Sequence, residues 1–241
     1  MAPGPIAVDD KGNVYVIDNR DLRKITAQGV VTTLVATPTT ILFDPNMFNL
    51  PNGLVVDTTG NIFVTDYLAA VIWKVTPNGQ MSRFAAIGTG PSDPTGSGPS
   101  GIAIDALNNL YVTDLPYIQS AGGFSLVRKV TPDGKVSTLV DASTGLVNAR
   151  GIAIDNAGNL FINESLLIVR VNVAGALVTY QLPASPAGGT ITATGIALDT
   201  VADRLYFTDA ARHTVDRLDP GGAISVIAGR AGEVGNADVT Q

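Results

Sequence analysis

The sequence predicts an all-β chain, a β-propeller of five four-stranded antiparallel blades, on three observations. First, one motif recurs five times, as Pro5-Ile-Ala-Val-Asp9, Gly53-Leu-Val-Val-Asp57, Gly101-Ile-Ala-Ile-Asp105, Gly151-Ile-Ala-Ile-Asp155 and Gly195-Ile-Ala-Leu-Asp199. The copies start 48, 48, 50 and 44 residues apart, a period that marks a repeat architecture. Second, short apolar runs rich in β-branched residues are separated by turn signals containing Gly, Pro and Asn. Third, 45% of the residues are hydrophobic and 15% charged, too apolar a balance for a disordered chain.

Residues 53–87 show how one unit is built. Gly53-Leu-Val-Val-Asp57 is a short apolar run, as for a strand covered on both faces. Thr58-Thr59-Gly60-Asn61 makes a tight turn, with Gly60 free to take positive φ. Ile62–Thr65 is the second strand, closed by Asp66, and Val71–Val75 is the third. Thr76-Pro-Asn-Gly79 turns the chain again, and the more polar Gln80–Ala85 forms the outer edge. The first turn recurs at Gly12-Asn13, Asn108-Asn109 and Gly158-Asn159, the second at Gly29, Gly134, Gly175 and Gly222. Such a meander cannot cover both of its faces alone, and copies set around an axis cover one another. The blades fall at about 4–36, 50–87, 99–141, 149–182 and 193–229 of a single domain spanning 1–241, with 230–241 resembling a connector.

Leu50-Pro-Asn-Gly53, Gly60-Asn-Ile-Phe-Val-Thr-Asp66 and Arg128-Lys-Val-Thr-Pro-Asp-Gly134 resemble the NHL repeat, and the resemblance covers nearly the whole chain. It implies a propeller, most often of six blades, where this chain has five complete units. A closed five-blade ring is favoured over an open arc of a six-bladed one, because an arc would expose the apolar faces of its end blades. The first repeat starts almost immediately after Met1, so no signal peptide is expected before it, and the natural chain is expected to be longer. The family's habits and the low charge imply a bacterial protein at the cell surface or outside the cell.

Several function classes are disfavoured. The net charge of −6 opposes a nucleic-acid partner, whose phosphates need clustered Lys and Arg. No apolar run has the roughly 20 residues of a membrane-spanning helix. With no cysteine and one histidine, thiolate sites and a three-histidine zinc site are excluded. The glycine-rich 88–98 segment is not followed by a helix pattern that would hold phosphate. His213 has no nucleophile-turn signature beside it in sequence.

In a meander the end of the second strand lies beside the start of the first. An inner ring of Gly4, Asn52, Ser100, Arg150 and Thr194 is therefore expected around a central mouth, with a second ring of Asp18, Asp66, Asp114, Glu164 and Asp209. Four Asp at one position read as turn caps. Blade four departs, with Asn163-Glu164 in place of Thr-Asp. Arg150 is the inner ring's only charge and Asn52 its only amide. The longer connector at 115–125 adds Tyr117, Ile118 and Phe124 to the rim, and the 41–48 segment carries apolar residues that read as packing between blades.

These residues support two readings. The first is a binding or interaction propeller that takes a protein or small polar ligand at the mouth through Asn52, Arg150, Asn163, Glu164 and Tyr117, with no cofactor. The second is a metal-assisted hydrolase or lyase of the type implied by a fold-level resemblance to gluconolactonase-like propellers. Asn52, Asn163 and Glu164 would then hold a divalent cation such as calcium, with Glu164 or His213 as the acid or base. Ser100, Arg150 and Thr194 do not supply the acidic partners that this family uses.

Overall fold

A computed structural model describes residues 4–37, 44–88, 96–116, 124–164, 167–183 and 193–233. The chain is a β-propeller of five four-stranded antiparallel blades, and the described residues contain no α-helix. Blade 1 is β1 (Ile6–Val8), β2 (Val14–Asp18), β3 (Asp21–Ile25) and β4 (Val31–Val35). Blade 2 is β5 (Pro51–Val56), β6 (Ile62–Asp66), β7 (Val71–Val75) and β8 (Met81–Ala86). Blade 3 is β9 (Ser97–Ile104), β10 (Leu110–Pro116), β11 (Leu126–Val130) and β12 (Val136–Val140), followed by a single 3-10 turn at Ala142–Thr144. Blade 4 is β13 (Ile152–Ile154), β14 (Leu160–Asn163), β15 (Leu167–Val171) and β16 (Leu177–Gln181). Blade 5 is β17 (Ala193–Asp199), β18 (Arg204–Asp209), β19 (Thr214–Leu218) and β20 (Ile224–Gly229). In each sheet the strands lie in sequence order, as a meander requires.

The Asp that ends the recurring motif builds the first turn. Asp57 accepts the N–H of Thr59 at 2.9 Å, the N–H of Asn61 at 2.8 Å and the Asn61 side-chain amide at 2.8 Å. Asp9, Asp105 and Asp155 bond Asn13, Asn109 and Asn159 in the same way, which is why Asp and Asn repeat four residues apart. Gly60 sits at φ +85° and Gly158 at +84°, a region that costs other residues energy; Asn108 fills it at +61° in blade 3.

The contacts divide the chain into two compact units, Met1–Leu146 and Val147–Gln241. In the first unit, Tyr15, Ile17 and Leu22 of blade 1 pack on Leu54, Ile62, Val64 and Trp73 of blade 2. Phe48 is fully buried in this layer and meets Trp73 edge-on at 6.5 Å. It therefore packs as core, as expected for the 41–48 segment; residues 41–43 lie outside the described residues. Phe63 and Ile72 of blade 2 then pack on Ile102, Leu110, Val112 and Val130 of blade 3. In the second unit, Phe161, Ile168 and Leu182 of blade 4 meet Leu205, Phe207 and Leu218 of blade 5. In both units apolar residues cover the sheet faces, while the fourth strands keep exposed positions at the outer edge.

Candidate functional site

The residue before each motif glycine stands out of the ladder. In blade 2, Pro51 pairs with Asp66 and Gly53 with Thr65, so Asn52 is the extra residue of a β-bulge. The register shifts at the same place in blades 3 and 5, around Ser100 and Thr194. In blade 4, Arg150 donates its N–H to the Asn163 carbonyl and Gly151 accepts from the Asn163 N–H, again two residues against one. Bulges re-aim the side chains they carry. Asn52 and Arg150 are exposed and Ser100 is buried.

A side chain from the second strand secures three of these bulges. Thr113 accepts the Gly101 N–H at 2.8 Å and Thr208 accepts the Gly195 N–H at 2.9 Å. Asn163 accepts the Gly151 N–H with its side-chain oxygen and is buried. Thr65 differs, donating its hydroxyl to the Ser100 carbonyl on the neighbouring blade.

The second-ring carboxylates separate by partner. Asp66 is fully buried and accepts four N–H bonds, from Asn49, Leu50, Ala69 and the Trp73 indole. Trp73 is thus polar anchor and core together. Asp114, fully buried, meets the Arg128 Nε at 3.0 Å, and Asp18 meets the Arg23 Nε at 3.0 Å. Arg23, Trp73 and Arg128 occupy one position of the third strand, two residues past the partner of the hairpin's end. In blade 4 that position is Val169. Glu164 accepts the Val147 N–H, and among the described residues no side-chain donor faces it. Burial raises the Glu164 pKa above its ordinary value against the lowering effect of the Val147 bond.

Blade 5 replaces the donor differently. Asp216 occupies the position, fully buried, and forms a 3.3 Å ion pair with the buried Arg212 and accepts the Thr214 hydroxyl at 2.8 Å. Asp209 caps the N–H groups of Ala211 and Arg212 at 3.0 Å each, as expected of a turn cap. His213 follows Arg212 in the same connection, exposed and at φ +58°. The third-strand donor escaped the sequence reading, although aligning the five copies at Trp73 would have exposed it.

The structure brings Arg150, Asn163 and Glu164 to one end of blade 4. Asn52 belongs to blade 2 in the other unit, and Tyr117 lies outside the described residues. As ligands for a hard cation this set fits poorly, since the Asn163 oxygen and one Glu164 oxygen already accept backbone N–H groups. Among the described residues no group of three or more His, Cys, Asp or Glu has the arrangement to hold a metal ion.

No family model and no curated protein matches the chain. Solved structures do. A streptogramin B lyase superposes with TM-score 0.66 at 21% identity, over 93% of this chain and 67% of that one. A gluconolactonase of Xanthomonas campestris gives 0.62 at 18%, over 87% and 69%. A chain of a nidogen–laminin complex gives 0.68 at 20%, over 91% and 79%. At such identities the likeness is one of fold, and the fold these comparisons share with the chain is the β-propeller.

Proposed function

We propose that the chain is an NHL-type binding propeller that takes a small polar ligand at the end of blade 4 where Arg150 and Glu164 lie. The observation that carries this reading is the lost donor. Blades 2 and 3 place a Trp or Arg N–H on the second-ring carboxylate and blade 1 sets an Arg in an ion pair with it, whereas blade 4 places Val169 there and leaves Glu164 with the Val147 N–H. A carboxylate short of donors in a partly buried position favours a ligand that brings them, such as a hydroxyl or ammonium group. Arg150 adds a guanidinium suited to a carboxylate or phosphate on the same ligand. Screening polyols, amino acids and hydroxy acids by thermal shift, with Glu164→Ala and Arg150→Ala beside the parent chain, tests the reading. A ligand that stabilises all three proteins equally would count against it.

A second reading, a hydrolase or lyase, is favoured by one feature. The raised pKa of Glu164 brings it closer to the range of a general acid or base. The lyase and gluconolactonase among the structural neighbours accord with it. Turnover of lactones that Glu164→Gln abolishes would establish catalysis. No bound divalent cation in a titration at neutral pH would remove its metal-assisted form.

A further inference from the structure

The chain contains two Asn-Gly pairs at exposed asparagines, Asn52-Gly53 and Asn78-Gly79, and the structure treats them differently. Asn78 is tied back, its side-chain oxygen accepting the Thr76 hydroxyl while Gly79 donates its N–H to the Thr76 carbonyl at 2.8 Å. Asn52 is the unpaired residue of its bulge, and its side-chain amide makes no hydrogen bond within the described structure. Gly53 also lacks the latch of its counterparts. Thr113, Asn163 and Thr208 each hold the N–H of the glycine opposite, but the Thr65 hydroxyl is turned to Ser100.

We propose that Asn52 is a site of spontaneous covalent modification, converting to aspartate and isoaspartate through a cyclic imide with Gly53. Hydroxide removes the Gly53 amide proton, and the nitrogen attacks the side-chain carbonyl carbon of Asn52. A carbon–nitrogen bond forms, the bond to the side-chain nitrogen breaks, and that nitrogen leaves as ammonia after taking up a proton. Water then opens the imide at either carbonyl, so the net change is one water consumed and one ammonia released. A glycine after the asparagine leaves this approach unobstructed, and packing demands that glycine. A Cβ at position 53 would lie 2.7 Å from the Ser100 carbonyl and 2.8 Å from the Thr65 hydroxyl oxygen. The susceptible pair is therefore fixed by the meeting of blades 2 and 3. Conversion replaces an amide, both donor and acceptor, by a carboxylate that accepts only and adds a negative charge to the bulge.

The site stands whichever ligand the protein takes, because its readout is covalent. The folded protein would be held in mildly alkaline buffer made with ¹⁸O-water, digested, and mapped by mass spectrometry with fragmentation that separates aspartate from isoaspartate. The expected result is ¹⁸O-labelled product at position 52 accumulating several-fold faster than at position 78, and its loss in Asn52→Gln. Conversion at Asn78 first, or at Asn52 only after denaturation, would overturn the proposal.

Discussion

Asn163 holds Gly151 through its side-chain oxygen, at the position where Thr113 holds Gly101 and Thr208 holds Gly195. The exchange of threonine for asparagine in blade 4 thus preserves a function that serves the bulge. Asn163→Ala should cost about 1–3 kcal/mol, because it leaves the Gly151 N–H without its acceptor. Asn163→Thr should recover most of that loss by restoring the hydroxyl that neighbouring blades use. Urea denaturation of both variants checks this, and equal stability of the two would dismiss the latch.

Gly60 and Gly158 close the first turns of blades 2 and 4 at positive φ. Valine at either position should destabilise by roughly 1–3 kcal/mol through the forced left-handed backbone. The Gly158 variant should suffer more, since a Cβ there lies 3.1 Å from Val173, against 3.4 Å from Pro77 at Gly60. Unchanged melting temperatures in both variants would refute the turn assignment.

The blades were legible because each is written five times. An Asp at the end of a first strand, an Asn four residues on and a glycine at positive φ leave a local trace that survives drift between copies. The bulge was legible only as a position, since register depends on the second strand. The partners of the second-ring carboxylates were hidden for a related reason. Asp66 and Trp73 are seven residues apart, but Asp114 and Arg128 are fourteen apart, because the connector between the strands changes length. A fixed sequence offset therefore misses a fixed spatial pair. Glu164 stood out by its size, yet what distinguishes its surroundings is Val169, a residue that looks like ordinary core.

Asp66 and Asp18 occupy equivalent positions with different burial, so the same substitution should have different effects. Asp66→Ala removes the acceptor of four N–H groups, those of Asn49 and the Trp73 indole buried and those of Leu50 and Ala69 partly so, and should cost at least about 3 kcal/mol. The Asp18 side chain is 47% exposed and its ion pair with Arg23 is open to solvent, so Asp18→Ala should cost no more than about 1 kcal/mol. Denaturation midpoints of the pair decide the point, and similar losses would show that burial does not set the contribution.

Tyr15 and Tyr111 donate their hydroxyls to Asp9 and Asp105 at 3.1 Å. Burial, with the neighbouring carboxylate, pushes both phenols up to about 12. A folded-state pKa above the ordinary value of 10 gives stability that is present below pH 10 and lost as pH rises through about 12. Phe63 and Phe161 fill the same place in blades 2 and 4. Tyr111→Phe should therefore fold normally, cost about 1 kcal/mol near neutrality and reduce the loss of stability in alkali. Ultraviolet titration of the phenols, with and without the substitution, provides the measurement. Ionisation of every tyrosine near pH 10 would contradict it.

Glu164 should show the opposite behaviour to the turn aspartates. At Asp57 burial pushes the pKa up, but hydrogen bonds from Asn61 and Thr59 outweigh it and hold the carboxyl below its ordinary value. Asp57 thus contributes stability above the unfolded pKa, lost as pH falls through the folded one. Glu164 has a single backbone donor against its burial, and its pKa is raised. Its contribution is fully present below the unfolded value of about 4.5 and is lost as pH rises through the folded value. The ionised side chain is therefore a source of instability at neutral pH. Glu164→Gln keeps an acceptor for the Val147 N–H and removes the charge, so it should raise the neutral-pH melting temperature and flatten the profile between mildly acid and neutral pH. Any ligand whose donors meet Glu164 should raise the parent's melting temperature and leave the variant's nearly unchanged. A variant less stable than the parent at neutral pH, with its acid profile intact, would mean that Glu164 is already satisfied in the fold and is not waiting for a ligand.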